Sequence, residues 1–252
     1  MKLPIDAVPV VQGEPNTEMF TAPMDVASPP CPITSRGIAR FAVAAGQSSN
    51  RQTFAAPGSP IVPPPAEKPD VFEYDPKTPL PSIGGDLFIE PRGVRDHRPA
   101  DEKSLTFTTA PFAEDTEISG PLTLELYIAS TADDTDFVAT VTDVRPDGYS
   151  AYLRQNVQRA SSRESLENPT PIIPGKIYKL TIAVFPLSNV FFKGHRLRLT
   201  VSSSSLPRYL PGHNKFLKNN QEDEAPWIVA HNTVYHDAQR PSVLIVPVVP
   251  NK

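Results

Sequence analysis

Across residues 120–205 apolar and polar side chains alternate in short segments. Leu122, Leu124, Leu126 and Ile128 share one parity, while Thr123, Glu125 and Tyr127 take the other. Tyr178, Leu180, Ile182 and Val184 repeat the pattern. So do Leu197, Leu199 and Val201, whose neighbours Arg196, Arg198 and Thr200 are expected to face water. A period of two is that of a half-buried strand. The same reading places strands at residues 71–74, 105–109, 122–129, 137–144, 149–153, 177–185, 196–203, 232–236 and 243–249. Asp147-Gly148 has the chemistry of a hairpin turn, and Pro174-Gly175 punctuates the entry to the next strand. The one helical expectation is a short turn around residues 215–220. Short strands separated by turns, without helices between them, predict an all-β sandwich of two antiparallel sheets packed face to face.

Composition divides the chain. Residues 1–66 hold prolines at short intervals, including Pro29-Pro30 and Pro63-Pro64-Pro65, and only the aromatics Phe20, Phe41 and Phe54. Such a segment buries too little apolar surface to offset the entropy of ordering it. Residues 1–67 are therefore expected to form a disordered or loosely extended leader, with one short strand or helical turn at 38–45. Residues 68–252 are expected to form the sandwich. The 31 prolines in the whole chain, against 12 glycines, point to many loops and strand edges.

The formal charge of −4 gives no pull toward nucleic acid or an anionic membrane. No apolar stretch is long enough to span a bilayer, and the first residues lack the apolar run of a signal peptide, so a cytoplasmic protein is expected. The single Cys31 excludes an intramolecular disulfide framework.

Candidate chemistry is sparse. A hydroxyl nucleophile in a G-x-S-x-G turn is missing, and Gly46-Gln47-Ser48-Ser49-Asn50 lacks the second glycine. His236-Asp237 resembles a base beside its orienting carboxylate, but reads better as a polar strand end entering a turn. The histidines have no metal-pair spacing, and no cofactor is implied. Asp133, Asp134 and Asp136 could ligate Ca²⁺ through oxygen, although loop carboxylates more often bond their own backbone. The run Ser202-Ser203-Ser204-Ser205 reads as a strand end whose hydroxyls satisfy neighbouring groups. Leu87, Phe88 and Ile89 stand in a loop that also carries Arg95 and His97. Such a loop tucks under the sandwich or covers the pocket of a neighbouring domain.

An ordered series of motifs carries a resemblance. Pro69-Asp70-Val71-Phe72-Glu73-Tyr74-Asp75-Pro76, Pro81-Ser82-Ile83-Gly84-Gly85 and Arg95-Asp96-His97-Arg98-Pro99 come first. Ala132-Asp133-Asp134-Thr135-Asp136-Phe137, Asp143-Val144-Arg145-Pro146-Asp147-Gly148, Ser188-Asn189-Val190-Phe191-Phe192-Lys193-Gly194-His195-Arg196 and Val201-Ser202-Ser203-Ser204 follow. Together they resemble the C-terminal jelly-roll domain of serine hydrolases that include cocaine esterase, α-amino acid ester hydrolases, glutaryl acylases and X-prolyl dipeptidyl peptidases. The resemblance spans about residues 68–250. It implies a galactose-binding-like jelly roll that is not itself catalytic. It also implies a partner, an α/β-hydrolase domain carrying the catalytic triad, whose active-site cleft the jelly roll helps to wall. Leu87 and Phe88 are the residues the resemblance implies reach the substrate, and with Ile89, Arg95 and His97 they are the candidates for lining the substrate site or the domain interface. The alternative is an independent carbohydrate- or protein-binding module. A glycan platform would need exposed aromatics on one face, whereas the only tryptophan, Trp227, lies in the connection before the last strands.

Overall fold

The computed structural model describes residues 37–42, 54–55, 68–86, 92–217 and 226–249. Eleven strands are formed among them: β1 (Gly37–Ala42), β2 (Phe54–Ala55), β3 (Asp70–Tyr74), β4 (Leu105–Thr108), β5 (Thr116–Ser130), β6 (Asp136–Val144), β7 (Ser150–Arg159), β8 (Tyr178–Phe191), β9 (Arg196–Ser202), β10 (Ala230–Tyr235) and β11 (Val243–Val249). A single helical turn, α1 (Arg98–Asp101), and a 3₁₀ turn at Ala160–Ser162 accompany them. Among the described residues no helix is long and apolar enough to cross a membrane.

Two antiparallel sheets result. The larger runs β2-β1-β11-β5-β10-β3, with β8 on the other edge of β5, and the smaller runs β4-β9-β6-β7. The long strand β5 pairs with β8 along nearly its whole length, so Leu122, Leu124 and Leu126 meet Val184, Ile182 and Leu180 across the ladder. All six are buried against Phe137, Val141, Leu197 and Leu199 of the smaller sheet. Alternation thus places one face of each sheet in a shared core. The Asp147-Gly148 turn forms as expected, with Gly148 at φ 86° and its N–H donated to Arg145 O over 2.9 Å.

The structure differs from the sequence expectation in four places. First, β1 belongs to the larger sheet, where it pairs with β11 from Gly37↔Val248 to Ala42↔Val243, so the sandwich draws a strand from ahead of residue 68. The rest of the leader lies outside the described residues. Second, β7 continues through Arg154-Gln155-Asn156-Val157-Gln158-Arg159, a polar run without strand patterning. Its side chains find partners off the strand: Gln155 Nε2 donates to Thr140 Oγ1 (2.6 Å) and Asn156 Nδ2 to Ala183 O (2.7 Å). Third, no helix occupies residues 215–217, the described part of the expected turn.

The fourth concerns the face of β9 expected in water. Thr200 is 1% exposed and the Arg198 side chain 21%, because a second layer of irregular chain covers the outside of the smaller sheet. All nine residues of β6 are buried for the same reason. Alternation fixes which face a residue takes, not what lies over that face.

Candidate functional site

The loop that carries Leu87, Phe88 and Ile89 is pinned at its base. Gly85 and Gly93 exchange backbone hydrogen bonds, 2.8 Å and 2.6 Å long. Gly84 and Gly85 sit at φ 79° and 92°, a region that disfavours side chains. A Cβ on Gly84 would lie 2.6 Å from Gly93 O, and one on Gly85 would run into the Arg208 guanidinium. The two glycines are therefore required both by conformation and by close approach. Beneath them the Tyr152 ring is buried, with Arg208 over its face and ion-paired to Asp86. Burial pushes the Tyr152 phenol up to about 12. The return strand is tied down by Tyr152 N donating to Arg95 O (2.9 Å). Leu87, Phe88 and Ile89 themselves lie outside the described residues.

Arg95 and His97 part company. The Arg95 side chain is exposed, whereas His97 is 3% exposed and turned inward. Its Nδ1 lies 2.7 Å from Asp101 Oδ1, one turn along α1. Asp101 Oδ1 also accepts from Thr200 Oγ1 (2.8 Å), and its Oδ2 accepts from Ser150 Oγ (2.7 Å) and from Arg198 (3.0 Å). Burial alone would raise this carboxyl, yet the hydrogen bond and charge of His97 and the two hydroxyls hold it down at about 2. A serine, an aspartate and a histidine meet here, but Ser150 is 0% exposed and gives its hydroxyl to the carboxylate. The cluster is a structural clasp, not a nucleophile with its base. Sequence reasoning missed it; the His97/Asp101 spacing of one helical turn was its only local sign.

The other candidates are occupied by the fold. Asp133 accepts from Phe216 N (2.8 Å) and Lys215 Nζ (2.6 Å). Asp134 accepts from Ser161 N (2.9 Å) and Ser161 Oγ (2.8 Å), while Asp136 pairs with Arg159 Nε (3.0 Å). Arg159 also lies 4.0 Å from Asp134 Oδ2, so the three carboxylates are taken up by fold contacts, and among the described residues no group of three His, Cys, Asp or Glu side chains is arranged to hold a metal. Desolvation pushes Asp134 up to about 6 against the pull of Ser161. His236, 1% exposed, has Nε2 3.3 Å from Asp70, and Asp237 turns instead to Arg240 and to the Gln239 N–H. The adjacency in sequence is thus not a pairing in space. The serine run stitches the layers together: Ser203 accepts from Asn232, Ser204 accepts from Leu80 N, and Ser205 donates to Gln155 Oε1 (2.9 Å each). Trp227 is 43% exposed and stacks on His213 with ring centroids 4.7 Å apart.

The site is therefore a clamped loop on a stitched, two-layered support. A family profile described as the X-Pro dipeptidyl-peptidase C-terminal non-catalytic domain matches residues 33–245. The chain belongs to this family. Its match begins ahead of β1, in agreement with the place of that strand in the larger sheet. The chain is 35% identical over 187 residues to cocaine esterase of Rhodococcus sp. (strain MB1 Bresler), a match that covers 73% of this chain and 33% of the relative. Two solved structures share the fold. An aminopeptidase from a marine sediment Thaumarchaeota archaeon superposes with a TM-score of 0.73 at 23% identity, over 85% of this chain and 37% of that one. An α-amino acid ester hydrolase gives 0.69 at 23% identity, over 83% and 36%. The chain spans about a third of the length of each of these proteins.

Proposed function

We propose that this chain is the accessory domain of a serine ester or peptide hydrolase. In this reading it packs on an α/β-hydrolase domain that supplies the catalytic serine, its base and the oxyanion hole. The loop between Gly85 and Gly93 forms one wall of the cleft, with Leu87 and Phe88 turned to the substrate. The observation that carries the proposal is the clamp at that loop's base, where two glycines, Tyr152 and the Arg208–Asp86 pair hold both ends of a short apolar segment. Binding walls are built from loops fixed on a rigid scaffold. Membership of a non-catalytic domain family and the threefold greater length of the relatives support the same reading.

The test compares turnover of p-nitrophenyl esters and X-Pro anilides by two proteins. One is the chain alone. The other is the chain joined to the hydrolase part of cocaine esterase in place of that enzyme's matching third. No turnover is expected from the first. Turnover is expected from the second, with KM raised by Leu87→Ala or Phe88→Ala. Activity of the isolated chain that disappears in Ser48→Ala or His236→Ala overturns the proposal.

A further inference from the structure

Single apolar side chains are common on protein surfaces, but an exposed run of three or four in sequence is out of place unless it serves a contact. Pro226-Trp227-Ile228-Val229 is such a run, and all four are exposed: Trp227 by 43%, Ile228 by 38% and Val229 by 43%. The segment leads directly into β10, whose first residue, Ala230, is fully buried opposite Tyr74.

The exposed run is held in place from behind. Ile228 N donates to His213 O (3.1 Å), and Ile228 O accepts from Asn214 Nδ2 (2.6 Å). Asn214 is 1% exposed, donates also to Tyr74 O (3.3 Å) and accepts from Thr135 Oγ1 (2.8 Å), which bolts the run to the sandwich. The Trp227 ring rests on His213. A recess opens beside His213, lined by Asp136, Arg159, Asn214 and Leu217. Charged pairs stand at the margins, Lys215 with Asp133 at 2.6 Å and His231 with Glu73 at 3.9 Å. A fixed apolar strip centred on a tryptophan, with a recess at its side and paired charges around it, has the anatomy of a protein interface.

Two observations say what covers it. The connection between β9 and β10 supports the strip and also closes the clamp: Arg208 pairs with Asp86 and donates its N–H to Ser82 Oγ (3.0 Å), and Asn214, six residues on, holds Ile228. One length of chain thus fixes both the strip and the Gly85–Gly93 bridge. The strip also lies within residues 33–245, which match the non-catalytic domain profile, and cocaine esterase carries about two thirds of its length outside the part matched here. We propose that Trp227, Ile228 and Val229 are the seat of the hydrolase domain; this deepens the accessory-domain reading and rests on it. A domain docked on the strip is then held at a set distance from the clamp.

The experiment uses the full chain free and joined to the hydrolase part of cocaine esterase, as above. Hydroxyl-radical labelling of Trp227 should fall several-fold from the free to the joined protein, while labelling of Leu166, 84% exposed, and Phe185, 52% exposed, stays the same. Trp227→Lys with Val229→Lys should raise KM for the ester at least about tenfold in the joined protein. Val229→Lys alone should leave the melting of the free chain within a few degrees and still raise KM, which keeps the test open if the double variant fails to fold. If the joined protein is active and Trp227 keeps its full labelling, the seat lies elsewhere and the accessory-domain reading stands. If the joined protein melts as a folded protein yet shows neither protection nor ester turnover, both fall. Concentration-dependent dimers of the free chain that vanish in Val229→Lys, with Trp227 still labelled in the joined protein, would assign the strip to a second copy and overturn the proposal.

Discussion

Thr200 donates its hydroxyl to Asp101 Oδ1 over 2.8 Å, joining an inner strand of the smaller sheet to a residue 99 positions earlier in the chain. The bond crosses from the sheet to the irregular layer above it, and both partners are buried. Thr200→Asp therefore brings a second carboxylate against the first in a buried site. A loss of about 3–5 kcal/mol is expected, read as a fall in Tm. Thr200→Val removes one hydrogen bond and should cost about 1 kcal/mol.

Leu124→Asp places an unpaired carboxylate in the inter-sheet core and should unfold the protein. Thr123→Asp, one residue along and on the partly exposed outer face, should stay within about 1 kcal/mol of the parent. Thermal melts of the two variants check the register of β5.

Asp101 and Asp134 give opposite pH dependences. The folded-state pKa of Asp101 is depressed, so its contribution is present above about pH 4 and is lost as pH falls through about 2. That contribution is on the order of 2 kcal/mol, from about two pKa units at about 1.4 kcal/mol each. Denaturant titrations between pH 2 and 5 should show a steep acid limb that flattens in Asp101→Asn.

For Asp134 the folded-state pKa is raised to about 6. Its contribution is present below about pH 4 and is lost as pH rises through 6. Asp134→Asn keeps an acceptor for the Ser161 N–H and removes the buried charge. The variant should melt above the parent at pH 7.5, by about 1–3 kcal/mol, with the gain vanishing toward pH 4.

Gly84→Ala tests the clamp. The added Cβ meets Gly93 O at 2.6 Å and the backbone holds a positive φ, so a cost of about 2–4 kcal/mol and faster proteolysis between residues 86 and 92 are expected. Gly148→Ala is the control: its φ of 86° is as unfavourable, but nothing lies within 4 Å of the new atom. It should cost only about 1–2 kcal/mol.

Alternation along β5, β8 and β9 made the sandwich and most of its core legible, because a period of two reports directly which side chains share a face. It could not show that the outer face of the smaller sheet is covered. The covering segment, from His97 to Ser104, is polar and aperiodic, and it binds through Asp101 to residues distant in sequence. The polar half of β7 was hidden for a related reason: its side chains bond sideways to Thr140 and Ala183 and do not alternate in and out. The glycine pair marked the loop base, since closely spaced glycines announce positive φ or close approach. Leu87 and Phe88 stood out as bulky apolar residues in a loop, and the family resemblance gave them their expected reach to a substrate.

The position of β11 has a consequence for how the protein is made. This strand pairs on one side with β1, from near the start of the chain, and on the other with β5. A ribosome delivers those two neighbours long before the strand that joins them. Until it emerges, β5 waits with one edge only partly satisfied and β1 has no route into the sheet through it. Closing so distant a contact is slow, since the entropy of a long loop must be overcome before the ladder forms. The nascent protein therefore holds an open strand edge from the emergence of β5 until β11 arrives, and its solubility in that interval depends on what shelters the edge.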